Sequence, residues 1–316
     1  MRRWILGFLL LFPALSLAQP YPSKAVRVVV PFAPGAATDS LARLMASELQ
    51  QALGSVFLVE NRAGANGVIA AEFVARAAPD GYTLFVATNT TQAANPSLYR
   101  KLPYDPLGDF TPVSRLTSSQ FILVVHPGVA AKSVQEWVAL VRAQPGRLSY
   151  ATSNSASLVA MEWLRISAGL EIAGVAYRSN TTALADLMGG RLQAMFADQA
   201  NAVPAIKAGR LRALAVSGQQ RTKLLPELPT MQEAGIEGFA LNTWAGVFAP
   251  ARLSPSIVER LNAVITAALR KPGVIERLAG LGYEAVGSTP EELASFNKSE
   301  VEVWRRAVTA AKVEAE

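Results

Sequence analysis

No cysteine occurs in the 316 residues, and His126 is the single histidine. The missing thiols exclude disulfides, thiolate metal sites, cysteine nucleophiles and a lipid-modified cysteine behind a signal sequence. One histidine leaves no metal-ligand cluster and no His–carboxylate set, and no G-x-S-x-G appears, so the hydrolytic and metal chemistries lack their parts. Charged residues make up only 17%, with a formal net charge of +6 and no Lys/Arg run of the kind that grips nucleic acid. No nucleic-acid partner is expected. A mildly positive field suits an anionic small molecule, although net charge alone speaks to solubility and steering rather than to a site. After the N-terminus no stretch approaches ~20 uninterrupted apolar residues, so no membrane span is expected in the mature chain.

At the N-terminus, Arg2 and Arg3 precede an apolar run from Trp4 to Leu17 interrupted by Pro13. Ser16-Leu17-Ala18 sets small residues at the −3 and −1 positions of a signal-peptidase site. Residues 1–18 therefore read as an export signal cleaved after Ala18, which places the protein free in the periplasm. The arginine pair directly follows Met1 without the rest of a twin-arginine motif, which favours ordinary secretion. Its removal lowers the net charge from +6 by two, to +4. The remaining length, with 51% hydrophobic residues in the whole chain, suffices for two cores.

The stretch from Val26 to Asp39 organises the rest. A buried strand breaks at Pro31, crosses the small residues Ala33, Gly35, Ala36 and Ala37, and restarts as a helix over Ser40 to Leu53 with Thr38 or Asp39 as N-cap. Small side chains let a ligand reach the main chain, and the helix start carries a partial positive charge. Taken alone, the stretch reads as an ordinary strand-to-helix turn before it reads as an anion site. A strand over Val56–Val59, a small-residue loop over Glu60–Gly67, a helix ending before Pro79 and a strand over Tyr82–Ala87 complete a βαβαβ series. Its functional loops should gather at the carboxyl ends of the strands. Thr88 to Gln92 then forms a polar loop.

A strand over Phe121–Val125 marks the crossing to a second α/β series, which opens with a capping box at Ser133–Glu136. Strands over Leu148–Ala151, Ile172–Tyr177, Leu192–Ala197 and Leu211–Ser217 alternate with helices. The first empties into the hydroxyl-rich loop Thr152–Ser157, whose side chains and free N–H groups suit a carboxylate. Phe239–Pro250 returns to the first series. A long helix from Ser254-Pro255, a short strand near Tyr283–Val286, and a helix from the capping box Thr289–Glu292 to about Lys312 close the chain.

These residues resemble a known family. Pro31 through Asp39, Glu60–Gly67, Pro79–Leu84, Asn95–Tyr99, Gly209–Val216 and Gly287–Glu292 look like the tripartite tricarboxylate transporter receptors, also called the Bug family. The resemblance covers essentially the whole mature chain. It implies a type II periplasmic binding protein, α/β, with two domains closing over a small carboxylate: 19–120 with 244–316, and 121–243. It also implies a monomer with no cofactor and no metal, whose partners are the ligand and the permease subunits of a tripartite tricarboxylate-type transporter. The Phe32–Asp39 and Thr152–Ser157 loops of relatives face each other across the cleft. Departures fall in the second half of the site. A family glycine pair is Gly35-Ala36, a serine loop with His is Ser153-Asn154-Ser155-Ala156-Ser157, Tyr-Lys-Gly is Tyr177-Arg178-Ser179, and the second loop is about two residues shorter.

The expected ligand-binding set is Phe32, Ala33, Gly35, Ala36, Ala37, Thr38 and Asp39 from the first loop, with Thr88, Asn89 and Gln92 as neutral specificity groups. Ser153, Asn154, Ser155, Ser157, Arg178 and Asp198 come from the second series. Arg178 can fork onto a carboxylate or lie solvated on the surface. Asp39 reads as a helix cap that can also bond a ligand amine or hydroxyl. Asp198 can orient Arg178 or meet a ligand cation. Tyr177 is expected as a core aromatic, His126 as a turn residue, and Trp244 as hinge packing. A non-catalytic receptor is the expected function. A sensor for a membrane signalling protein uses the same binding chemistry, and a periplasmic hydrolase or lyase is the weaker alternative.

Overall fold

The structure is a computed structural model that describes residues 21–315; the expected export signal lies outside the described residues. Three parallel strands open the fold: β1 (Val26–Val30) sits between β2 (Phe57–Asn61) and β3 (Thr83–Thr88). β1 is buried except at Arg27, as the valines on either side of it require. The intervening α1 (Ala37–Leu53) buries Leu41, Leu44, Met45 and Leu49. It ends where Gly54 turns left-handed (φ 71°) and returns its N–H to the Gln50 carbonyl at 3.0 Å. α1 starts three residues earlier than expected, with Ala36 in the N-cap position and no side-chain cap. Thr38 and Asp39 thus sit inside the first turn, where an acidic side chain is favoured by the helix dipole. α2 (Val68–Ala75) follows β2 through a 3-10 turn at Ala65–Gly67.

Beyond β3 the expected polar loop is instead wound. A wide π turn (Thr90–Ala94) runs into α3 (Asn95–Leu98), and Thr91 Oγ1 bonds the Thr88 carbonyl at 3.1 Å. The crossing strand is also longer than Phe121–Val125. β4 (Phe110–Val125) extends over 16 residues. From Phe110 to Gln120 it pairs antiparallel with β9 (Asn242–Pro250); from Phe121 onward it pairs with β7 (Ala194–Asp198) and β8 (Arg212–Val216). Pro112 and a run of serines and threonines disguise its first part, and register slips at Pro112/Ser114 and Arg115/Thr117 accommodate them. The return crossing is stapled by Ser217, whose Oγ donates to the Leu241 carbonyl (2.6 Å) and accepts the Phe121 N–H (2.9 Å).

The second half repeats the alternation: α4 (Val134–Ala143), β5 (Ser149–Thr152), α5 (Ser155–Ser167), β6 (Ala173–Ala176), α6 (Asn180–Met188), β7, α7 (Gln199–Lys207) and β8. β5 lies between β6 and β7, parallel to both. The Ser133–Glu136 box is half formed. Ser133 Oγ accepts the Glu136 N–H, but the Glu136 carboxylate takes the Lys132 N–H instead. The Thr289–Glu292 box is complete. The last segment contains α8 (Pro255–Leu269), an unforeseen α9 (Pro272–Gly280), the two-residue β10 (Glu284–Ala285) and α10 (Pro290–Ala310). α9 arises because Pro272, unable to continue α8, is well placed as the first residue of a new helix. Trp304 and Val308 of α10 share one core with Trp137 and Val159, so the last helix packs on both halves. No helix among the described residues is long and apolar enough to cross a membrane.

Candidate functional site

The carboxyl ends of β1 and β3 in the first half, and of β5, β6 and β7 in the second, open onto one cavity of about 260 Å³. Four helices begin at its wall: α1 at Ala36–Thr38, α5 at Asn154, α6 at Ser179–Thr181 and α7 at Asp198–Asn201. α5 and α6 are capped, Asn154 by accepting the Ser157 N–H and Ser179 by accepting the Thr182 N–H. α1 and α7 have no side-chain cap, so their first-turn N–H groups remain available to a ligand. Helix starts converging from both halves make the cavity attractive to anions.

Among the expected residues, Phe32, Ala33, Gly35, Ala36, Ala37, Thr38, Thr88, Asn89, Ser153, Asn154, Arg178 and Asp198 line this cavity. Asp39, Gln92, Ser155 and Ser157 lie behind it and shape it. The Asp39 carboxylate accepts the Gly35 N–H (3.0 Å), Asn61 Nδ2 (2.9 Å) and Arg43 Nε (3.0 Å), which ties the loop after β1 to β2. Burial pushes its pKa up, but the bonds from Arg43, Gly35 and Asn61 together outweigh burial and hold it below the usual range. Gln92 donates to the Pro106 carbonyl, and Ser155 Oγ donates to Asn95 Oδ1 at 3.1 Å, joining α5 to α3. Ser157 Oγ accepts the N–H groups of Ser153 (2.9 Å) and Asn154 (3.2 Å), completing a capping box with Asn154.

Several lining residues carried no local signal. Ser119 and Thr243 arrive on the crossing strands, and Tyr283 arrives from the turn after α9. Gln199, Ala200 and Asn201 follow the end of β7, where the strand-end rule that picked out Thr88 and Asp198 could have found them. Trp244 both packs and lines: it is 2% exposed, and its Nε1 donates to Glu300 at 2.9 Å. Tyr177 gives its hydroxyl to Asp186, and His126 Nδ1 accepts the Gly128 N–H within its turn.

Charge in the cavity is present but unpaired. Asp198 does not pair with Arg178. Its Oδ2 accepts from Asn180 Nδ2 at 2.8 Å, and Arg178 lies exposed. Burial pushes the Asp198 carboxyl up to about 6, with only the Asn180 bond opposing and no cationic side chain offsetting. Burial, followed by the nearby Asp198 charge, raises the Tyr283 hydroxyl. Four polar atoms at the wall are sealed from solvent and lack a partner: Thr88 Oγ1, Asn89 Nδ2, Ser153 Oγ and Asn180 Oδ1. Native proteins rarely leave such atoms unpaired, and each costs about 1–3 kcal/mol when left so. Among the described residues no group of His, Cys, Asp or Glu could hold a metal ion.

A two-half α/β frame with a polar, anion-attracting cavity at its strand ends defines a solute-binding receptor. The tripartite tricarboxylate transporter family receptor profile matches residues 41–313, and the chain belongs to that family, whose members are periplasmic receptors rather than enzymes. BugT of Bordetella pertussis is 34% identical over 301 residues, covering 94% of this chain and 92% of its own. An R. palustris protein solved with adipate superposes with a TM-score of 0.89 at 33% identity, covering 94% of this chain and all of its own. MatC from Rhodopseudomonas palustris with bound malate superposes at 0.85 and 35% identity, covering 91% of this chain and all of its own. The expected fold, family and non-catalytic function agree with these likenesses.

Proposed function

We propose that the protein captures a small organic carboxylate between its two halves and presents the closed, liganded form to the permease subunits of a tripartite tricarboxylate-type transporter. The halves are residues 19–120 with 244–316, and 121–243. The protein acts as a monomer after export and cleavage behind Ala18. One observation carries this reading: unpaired buried polar atoms and two uncapped helix starts share one cavity drawn from both halves. The adipate and malate in structural relatives support the ligand class. A ligand that touches both walls binds the closed shape better than the open one, and that difference drives closure.

Thermal unfolding of the solute-free protein across a panel of carboxylates, amines and sugars tests this. A ligand at a hundred times its Kd adds about 2.7 kcal/mol of stability, which raises the midpoint by roughly 5 °C at this chain length. If no carboxylate moves the midpoint while sugars do, the reading is wrong.

A further inference from the structure

The polar side chains on the cavity wall are of two kinds. Some leave an atom open, as Asn89 and Asn180 do; others are fully engaged and form a chain. Behind the solute cavity lies a second one of about 710 Å³, and Ser119, Gln199 and Tyr283 line both, so they form the partition between them. The Ser119 hydroxyl donates to the Gly282 carbonyl at 2.7 Å. A carbonyl only accepts, so the Ser119 oxygen is left to accept in turn, and it takes Gln199 Nε2 at 3.1 Å. That arrangement turns Gln199 Oε1 away from Ser119, where the Thr222 hydroxyl donates to it at 2.6 Å. Ser119, Gln199 and Thr222 are all buried, and each bond fixes the direction of the next.

The chain of bonds joins both halves of the molecule. Thr222 stands on the segment after β8, Gln199 is the first residue of α7, Ser119 lies on β4, and Gly282 belongs to the turn after α9 in the other half. At Gly282 the halves meet backbone to backbone: φ is 74°, and a Cβ there would fall 2.5 Å from the Ala200 nitrogen. We propose that Thr222, which lines only the rear cavity, is a positioning residue for solute capture. Acting through Gln199 and Ser119, it holds the uncapped first turn of α7 in place against the Gly282 turn. This rests on the capture reading above and adds to it a residue the solute does not touch. Without the Thr222 hydroxyl, Gln199 Oε1 becomes a buried acceptor with no donor, and its amide no longer has a reason to keep Nε2 on Ser119. The N–H groups at the start of α7 then lose their fixed aim, and part of the binding free energy goes into ordering them again.

Two variants test this: Thr222→Val matches the shape of threonine without the donor, and Thr222→Ser keeps the donor. In solute-free protein labelled with nitrogen-15 at glutamine, the Gln199 side-chain amide should exchange with solvent at least about tenfold faster in Thr222→Val than in the wild type, the scale of one lost buried hydrogen bond. Thr222→Ser should stay near the wild-type rate. In calorimetric titration with malate, adipate and the other carboxylates of the panel, the Kd of the tightest-bound acid should rise about five- to tenfold in Thr222→Val and stay within about twofold in Thr222→Ser. A purely structural role would lower the unfolding midpoint of Thr222→Val and leave the affinity of the folded protein unmoved. If Thr222→Val does not fold, Thr222→Ala also lacks the donor and is read against Thr222→Ser in its place. An unmoved Gln199 exchange rate, an unmoved Kd in the variant lacking the donor, or equal losses with and without the donor overturns the positioning role and leaves carboxylate capture standing. Absence of binding by every acid in the panel overturns both.

Discussion

The solute-free protein should become more stable when Asp198 is replaced by Asn, and only at neutral pH. In the folded chain, burial pushes this carboxyl up to about 6 from an ordinary value of 3.8. Between those values the folded state holds a proton that the unfolded chain has released. The carboxyl therefore favours folding fully below about pH 3.8, and this contribution is lost as pH rises through about 6. A displacement of about two units, at 1.36 kcal/mol per unit, makes the ionised group cost about 3 kcal/mol above pH 7. Asn keeps an acceptor for Asn180 Nδ2 and carries no charge. Its advantage over the wild type should grow by about 3 kcal/mol between pH 4 and pH 7.5, which amounts to roughly 6 °C at this chain length. The assay is parallel thermal unfolding of both proteins, stripped of bound solute by unfolding and refolding, at half-unit steps of pH. A difference that stays flat, or that grows toward acid pH, would refute the claim that Asp198 lacks a counter-charge. Such a cost is typical of binding sites, where a group is held ready for a ligand rather than for folding.

Three further outcomes follow from the surrounding structure. Asp39→Ala removes the acceptor for Gly35, Asn61 and Arg43 and should cost about 2–3 kcal/mol at pH 7 in urea unfolding. Because the folded pKa of Asp39 lies below its ordinary value, the wild type loses this stability as pH falls below about 3.8, and the two proteins should converge there. Gly67→Ala should destabilise by about 2 kcal/mol, since φ is 83° and the new Cβ would meet Thr91 Cγ2 at 2.6 Å and Pro31 Cβ at 2.9 Å; denaturant midpoints read this directly. Trp244→Phe keeps an aromatic ring but removes the pyrrole half of a buried indole together with its N–H donor to the Glu300 carboxylate, a loss of about 2–4 kcal/mol. Burial already raises the Glu300 pKa, so an NMR titration should show it rise further in this variant.

Where side chains repeat with a clear period, the sequence was readable. The valines of β1, the leucine face of α1 and the Thr289–Glu292 box appear in the structure nearly as the chain spells them. β4 was only partly legible. Its final apolar residues showed, whereas Phe110–Gln120 mixes proline with serines and threonines and pairs only because β9 lies alongside. The Thr88–Gln92 segment looked like a loop because its residues are polar, yet it winds as a buried turn in which Thr91 Oγ1 bonds the Thr88 carbonyl and the Thr91 carbonyl accepts the Tyr104 hydroxyl. The stretch between the long helix and the strand near Tyr283 carries no assignment from the sequence, although Pro272 can open a new helix there.

At the site the same division holds. The sequence by itself determined which loops can bind an anion, because small residues before a helix start and hydroxyls after a strand end act through local geometry. It could not assign Asp39, Gln92, Ser155 and Ser157 to the support behind the cavity, since a side chain's facing depends on which neighbour offers a better hydrogen bond. Nor could it bring Ser119, Thr243 and Tyr283 to the wall, as these arrive on three segments far apart in the chain. Only the tertiary structure decided that Asn180 rather than Arg178 holds Asp198, which leaves the carboxylate without a paired cation. That outcome reflects a three-dimensional balance of burial and pairing, and no local pattern in the chain encodes it.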